Sequence, residues 1–597
     1  MKQIFYMVLI GIFIIFSIIL RYPKEDKNYT NLDATYHTLL TVKAYNEIPI
    51  KEHKFLPIVT LGGYKNVSWG ATLPDKNGNF YYTSFSFIGY IAPYIFFKLF
   101  NLPITIYSLY LFNSILMIIS CLLFYYIIYY YFSRYIEKKW LFIIVCILYL
   151  GTNEVIHSQG VIYWHHSLFQ IFFLLHIISF IKLNNKYFKI VFWVLFFINP
   201  YIEWTGYISN FSFFIFFIIK LIFSKDKKYI KYLLIISILT SLSFLVFSLH
   251  YLLNINSKDY INAMISRFKS RNFFNPISIK YLFYGYYDSY KNILGIIIVS
   301  FAISFIFIPN SIKYYLLSLK KYSKLLFLLF IPILENLLMK EHAILYTFDR
   351  LKVIFFLITV LLIIFIHIYK NNKKLFFIIF NLIFIIQFIN IFLYQNNTKY
   401  SFNIDYNYNN TTISQYVKSN FNNAILYNNT YVRGYFNILF DKNIYEMYNF
   451  NTVYNYFCSN TNNILIYINS QPSLWQIHKI NKCVILNYKY ASILYIDNYK
   501  LIEKKYNIDN LVWLYNLTDE NWTKGISNFD NRTLLFINHS NNNILLNKNI
   551  SLTINQNEYY IDNIEYKDDK YIHVKLKQNI DIDYIQELQP IIVNKFK

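Results

Sequence analysis

The sequence predicts a mainly α-helical, polytopic membrane protein of about 11 transmembrane helices with a C-terminal extracytoplasmic domain rich in β-strand. Three observations predict it. Hydrophobic residues make up 56% of the 597-residue chain and charged residues only 15%, against roughly 25% charged in soluble domains. The apolar residues gather in runs of spanning length, all before residue 395. The short loops on one side of these runs carry 18 Lys and Arg and those on the other only 2, the asymmetry that marks the cytoplasmic side.

In chain order, the first run covers residues 4–20, 17 residues without a charge between Lys2 and Arg21. It just spans a hydrocarbon core, and no small-residue cleavage site follows, so it reads as an uncleaved helix rather than a signal peptide. Ten more runs fall near residues 105–132, 140–157, 161–181, 190–206, 207–223, 232–253, 291–309, 324–339, 351–369 and 375–394. The stretch 190–223 divides in more than one way, which leaves 10 or 12 spans as alternatives. The charge bias puts the N-terminus in the cytoplasm and leaves residues 21–104, 254–290 and everything after 394 outside. Segments of that length are functional loops or domains rather than simple connections. The net charge of +24 is then largely a topology signal, and no nucleic-acid partner is required. The expected location is a bacterial inner or plasma membrane, with membrane lipids as neighbours.

Three regions result: a transmembrane domain, 1–394, whose first external loop is 21–104; an α/β or β-rich region, 395–510; and a small β module, 511–597. In the tail, short β-type stretches recur at 463–469, 483–488, 534–538, 559–566 and 571–577, with turn residues between them. Trp475, Trp513 and Trp522 argue for a buried core there. Cys458 and Cys483 both lie in this tail, in a compartment where disulfides persist, and form a candidate pair. Cys121 and Cys146 sit in apolar runs as small hydrophobes. Neither a CxxC nor a Cys/His zinc pattern is present.

Candidate chemistry begins with Asp33, about a dozen residues after the first span, at the start of a segment that looks helical to Tyr45. Its competing role is a helix N-cap. Downstream come Trp69-Gly70-Ala71-Thr72-Leu73-Pro74 and then Tyr82-Thr83-Ser84-Phe85-Ser86-Phe87-Ile88-Gly89-Tyr90-Ile91-Ala92-Pro93. An acid just after the first span, a loop ending in this Tyr-x-Ser-Phe-x-x-x-Gly-Tyr-x-x-Pro stretch, and a many-span body together resemble the C-superfamily of integral membrane glycosyltransferases. That group holds the protein mannosyltransferases, the lipid A aminoarabinose transferases and the oligosaccharyltransferases. The resemblance covers residues 1–394 and implies a sugar donor on a polyprenyl phosphate, with an acid of the first external loop acting at the acceptor or positioning a metal. Asp33 is the matching position; Ala34 stands where many members place a second acid. Glu154, in the second external loop, matches another acid of several members. A pattern at 517–526, Leu-Thr-Asp-Glu-Asn-Trp-Thr-Lys-Gly-Ile, resembles a β module appended to bacterial surface-polysaccharide membrane proteins.

Glycosyl transfer to a hydroxyl needs a base for the acceptor proton, worth about 10²- to 10⁴-fold, and Asp33 is the candidate, with Glu154 as the second catalytic carboxylate. The departing phosphate needs positive charge. Lys340, His342 and Arg350, in a compact outside loop with Tyr346 and Asp349, are candidates for it, and Arg267 and Arg271 on the third long outside segment are others. Lys340 and Arg350 at helix ends also have snorkelling as an alternative role. Tyr36, His37, Trp69, His157, Trp164 and His165 are candidate substrate contacts, the aromatic rings by stacking on a pyranose. The residues establish no cofactor; a divalent metal ion, held by Asp33, Glu154 and His157 with His165 beside them, is the one candidate. The predicted function is transfer of a sugar from a polyprenyl-phosphate donor to an envelope glycan, lipid or protein at the outer membrane face, inverting, with a carboxylate base. The alternatives are a lipid-linked sugar flippase, for which Glu203 and Glu335 are the intramembrane acids, and an O-antigen-type polymerase.

Overall fold

The computed structural model describes residues 2–24, 27–61, 72–271, 278–394 and 401–403, and beyond these only the tail strands, one helix and a few residues beside them, between 414 and 595. The chain divides into two compact units, Met1–Asn407 and Tyr408–Lys597.

The first unit is helical. A long opening helix, α1 (Lys2–Leu20), is followed by α2 (Leu32–Glu47), the short α3 (Ile50–His53), α4 (Ile88–Leu99) and α5 (Ile106–Phe132). Then come α6 (Lys138–Leu150), α7 (Asn153–Ser158), α8 (His165–Ile181), α9 (Lys186–Ile202), α10 (Thr205–Ser224), α11 (Lys228–Leu252) and α12 (Ser257–Arg271). The unit closes with α13 (Ile279–Phe307), α14 (Ser311–Phe330), α15 (Glu335–Leu338), α16 (Lys340–Leu345), α17 (Val353–Asn371) and α18 (Lys373–Tyr394). Local chemistry sets several starts. Thr105 caps α5 by accepting from Ser108 N, and Asn185 caps α9 by accepting from Tyr187 N at 3.0 Å. Two small antiparallel pairs join the helices: β1 (Lys27–Tyr29) with a strand at Ser401–Asn403, and β2 (Thr72–Pro74) with β3 (Phe80–Tyr82).

Among the described residues, six helical segments are long and apolar enough to cross a membrane: α5, α10, α11, α13, α18, and α17 with the residues just before it, Thr347–Asn371. This is the signature of a polytopic membrane protein. Gly11–Leu20, α4 and α8 are shorter apolar helices. The six differ in burial. Only 17% of the most apolar window of α11 is buried, and Ile238 and Phe244 face outward, whereas 83% of that window is buried in Thr347–Asn371. The first pattern suits a lipid-facing helix and the second a central one; α13, α14 and α18 pack around α17.

Several expected spans are divided differently. The run 140–157 breaks after α6, because Gly151 and Thr152 turn the chain into α7. The run 161–181 becomes helical only at His165. Residues 324–339 are not one helix: α14 starts earlier and ends before Pro332, which opens a 3₁₀ turn at Ile331–Leu334, since Pro has no N–H to continue the ladder. The ambiguous stretch 190–223 resolves into α9 and α10 with Glu203 and Trp204 between them. Gly206 permits that hairpin, for a Cβ there would lie 2.2 Å from the Asn199 carbonyl carbon.

The second unit contains a five-stranded sheet over residues 425–507, parallel except for its last pair, Tyr490–Asp497 with Lys500–Asn507. A six-stranded antiparallel sheet covers residues 512–595, with Ile561 and Leu576 paired across two neighbouring strands and both fully buried. Cys458, Cys483, Trp475, Trp522 and the pattern at 517–526 lie outside the described residues.

Candidate functional site

The chain between α14 and α17 folds back on itself as the turn at Ile331–Leu334, α15, α16 and a second 3₁₀ turn at Thr347–Arg350, and so delivers seven ionisable side chains, including Glu335, Lys340, His342, Asp349 and Arg350, to the start of the buried helix α17. Asn31 fastens this segment to the beginning of α2. Its Nδ2 donates to Leu345 O at 3.1 Å, and its Oδ1 accepts from Thr347 N at 3.0 Å and Thr347 Oγ1 at 3.2 Å. Asn31 itself holds φ 63° as the N-cap residue, a left-handed conformation that Asn tolerates better than most residues. Asp33 is therefore not the cap. It stands exposed on the first turn of α2, within electrostatic reach of His342 and Tyr346.

Two polar networks occupy the interior behind this segment. In the first, Glu154 of α7 accepts from Ser158 Oγ on one oxygen and from Ser289 Oγ at 2.6 Å on the other. Arg350 Nε donates to Ser289 at 2.9 Å and lies 3.9 Å from the same Glu154 oxygen, while Nη1 donates to Ala343 O at 2.7 Å. Burial pushes the Glu154 carboxyl above its usual range, against the pull of Arg350 and of the two serines. In the second network, Asp349 bonds His342 Nδ1 through one oxygen and lies 3.0 Å from His166 Nε2 through the other, and His166 is 3.6 Å from Glu203. Thr205 donates its N–H to Glu203 at 2.8 Å and its hydroxyl to Glu335 at 2.6 Å, and Glu335 is paired with Lys352.

Beside the second network lies a cavity of about 560 Å³. One part of its wall is apolar, with Ile208, Phe244, Met264, Phe268, Leu338 and Met339; the other is ionisable, with Arg267, Arg271, His342, Asp349, Glu203 and Glu335. Arg267 is fixed there: Nη1 donates to Ser84 Oγ at 2.6 Å and its guanidinium lies 5.8 Å from the Tyr82 ring centre. Ser84 and Phe85, from the Tyr-x-Ser-Phe stretch, are also on the wall. That stretch is held by Tyr251, whose hydroxyl donates to Phe85 O at 2.6 Å, and by Trp204 Nε1, which donates to Ser84 O at 2.8 Å.

The structure thus brings His342, Arg267 and Arg271 to one cavity, and joins Glu154 to Arg350 away from its named wall. Lys340 is buried. His37 and Trp164 are buried in an aromatic cluster with Tyr82 and Tyr90, the His37 and Tyr82 rings 4.4 Å apart; burial pushes the His37 imidazole down to about 3, so it is neutral. Tyr36 is buried, and His165 is buried with Nδ1 3.2 Å from Ile202 O. Trp69 lies outside the described residues. His157 uses both ring nitrogens, on Tyr394 Oη at 2.7 Å and Thr30 O at 2.8 Å, and Glu154 uses both oxygens, so this pair does not offer free metal ligands. Among the described residues no three His, Cys, Asp or Glu are grouped to hold a metal ion. The sequence reading passed over His166 and Lys352, and gave Asp349 no role; the signal was there in the doubled His165-His166 and in a lysine at the mouth of an apolar run.

No protein-family model matches the chain, and no curated protein matches it. Among solved structures, the apo form of the Archaeoglobus fulgidus oligosaccharyltransferase is similar at a TM-score of 0.49 and 10% sequence identity, over 82% of this chain and 69% of that one. At that distance the likeness carries no argument, and the functional reading rests on the residues above.

Proposed function

We propose that the protein is a membrane glycosyltransferase that takes its sugar from a polyprenyl-phosphate donor and passes it, with inversion, to a hydroxyl of an envelope glycan, lipid or protein at the outer face of the membrane. The observation that carries this is the two-sided cavity. Its apolar wall suits the first isoprene units of a lipid, and Arg267 and Arg271 supply the fixed positive charge that a phosphate at the membrane surface requires. His342 faces the same space.

Asp33, exposed on α2 beside His342, is the proposed base for the acceptor proton. Glu154, held by Arg350 and two serines, is assigned to positioning the 340–350 segment. In this step the acceptor oxygen attacks the anomeric carbon, Asp33 takes its proton, and the arginines stabilise the leaving phosphate.

A lipid-linked sugar transporter is the second reading, favoured by the buried acids Glu203 and Glu335 and by Lys352. One experiment separates them. Membranes containing the protein, given radiolabelled polyprenyl-phosphate sugars, form a labelled glycan, and Arg267→Ala/Arg271→Ala abolishes it. Movement of label across the bilayer with no new glycosidic bond would instead favour transport. Mass spectrometry of envelope glycans from cells with and without the protein identifies sugar and acceptor.

A further inference from the structure

His342 has so far been given only as positive charge beside the phosphate, and Asp349, His166 and Glu203, which follow it in one line, have no part in the step. Asp349 sits between two imidazoles, bonded to His342 Nδ1 on one oxygen and 3.0 Å from His166 Nε2 on the other. With Nδ1 committed, Nε2 is the ring nitrogen His342 has left for the cavity it lines. The His342 ring also packs against Tyr346, at 4.4 Å, which is itself stacked on Phe348.

The cavity wall places Arg267 and Arg271 beside His342, so an anion held by the two guanidinium groups lies within reach of the imidazole. A sugar phosphodiester carries one negative charge, and the monoester released from it has a second ionisation near pH 6. Giving that leaving group a proton as its charge develops is general-acid catalysis, a role for which an imidazole held by a carboxylate is suited.

We propose that His342 Nε2 donates a proton to the phosphate as the sugar leaves, and that Asp349, shared with His166, is the positioning residue that holds His342 oriented. The proposal rests on the donor reading above. In the step, the acceptor oxygen bonds the anomeric carbon and the bond from that carbon to the phosphate oxygen breaks, its electron pair staying on the phosphate. The hydroxyl proton goes to Asp33 and the imidazolium proton to the phosphate, after which Asp33 loses its proton to water and His342 regains one. Beside His342 are Asp349 and Tyr346 from its own segment and Asp33 from α2; Arg267 and Arg271 of α12, Glu335 of α15 and Glu203 line the same cavity, and Tyr286 of α13 is engaged with Asn336.

The test uses the purified full chain in detergent, with radiolabelled polyprenyl-phosphate sugar for single-turnover transfer and polyprenyl monophosphate as the probe of binding. His342→Gln and Asp349→Asn are each expected to lower transfer by about 10²-fold or more while the Kd of the probe changes by less than about threefold, a split that a merely structural carboxylate would not cause. Either variant suffices if the other does not fold. A wild-type transfer rate in both overturns the proposal. Binding of the probe that Arg267→Ala/Arg271→Ala leaves untouched, or no binding, overturns the donor reading itself, so the two failures are told apart.

Discussion

Arg350 and Glu154 are bound to each other inside the protein: Arg350 Nε is 3.9 Å from a Glu154 oxygen, and Ser289 Oγ bridges them, 2.9 Å from the guanidinium and 2.6 Å from the carboxylate. Both side chains are at most 4% exposed. Removing one member strands the other charge in a dry site, which costs about 3–5 kcal/mol. Arg350→Leu is therefore expected to lower the thermal midpoint sharply, and Glu154→Gln/Arg350→Gln to recover part of the loss, as read by a melting assay in detergent. Equal damage from the single and double variants would show that the pair is not what matters at either position.

The same carboxyl makes a pH prediction. Its folded pKa is raised above the ordinary value of 4.5 by burial, so the folded state binds the proton more tightly than the unfolded one. Stability from this group is thus present at low pH and is lost as pH rises from about 4.5 through the raised value. Glu154→Gln should flatten that part of the stability curve, measured against wild type by melting between pH 4 and 8.

What could be read from the sequence follows from the range of the interactions. The apolar runs that became α5, α11 and α18 are local, and solvent preference alone marks them. The breaks at Gly151 and Pro332 are also local, but a hydropathy window averages over them. The site is not local: His166, Glu203, Glu335, Asp349 and Lys352 come from four separate places in the chain, and nothing in the residues beside His166 says that Asp349 will meet it. Asp33 was legible as an exposed acid after the first span, whereas its exclusion from the helix cap required Asn31 in its left-handed conformation.

Gly285 tests the packing behind Arg350. A Cβ at this position would stand 2.8 Å from Arg350 Nη1 and 3.2 Å from Cζ, so Gly285→Ala must push the guanidinium away from Ser289. The expected cost is about 1–3 kcal/mol, the usual range for overpacking. Arg350→Lys, which frees that volume, should make the alanine less harmful in a double-mutant cycle; strict additivity would place the strain elsewhere.

Asp33 separates function from stability most cleanly. Because the side chain is exposed and does not cap α2, Asp33→Asn should change stability by no more than about 0.5 kcal/mol, while the loss of a catalytic base lowers transfer by about 10²- to 10⁴-fold. Asn31→Ala is the useful contrast, since it removes the three hydrogen bonds that fasten residues 345 and 347 to α2 and should reduce both stability and transfer. Melting temperatures and single-turnover transfer rates, measured on the same detergent preparations, decide between them. If Asp33→Asn transferred sugar at the wild-type rate, the base would have to be sought on the cavity wall, where His342 is the residue held ready by a carboxylate.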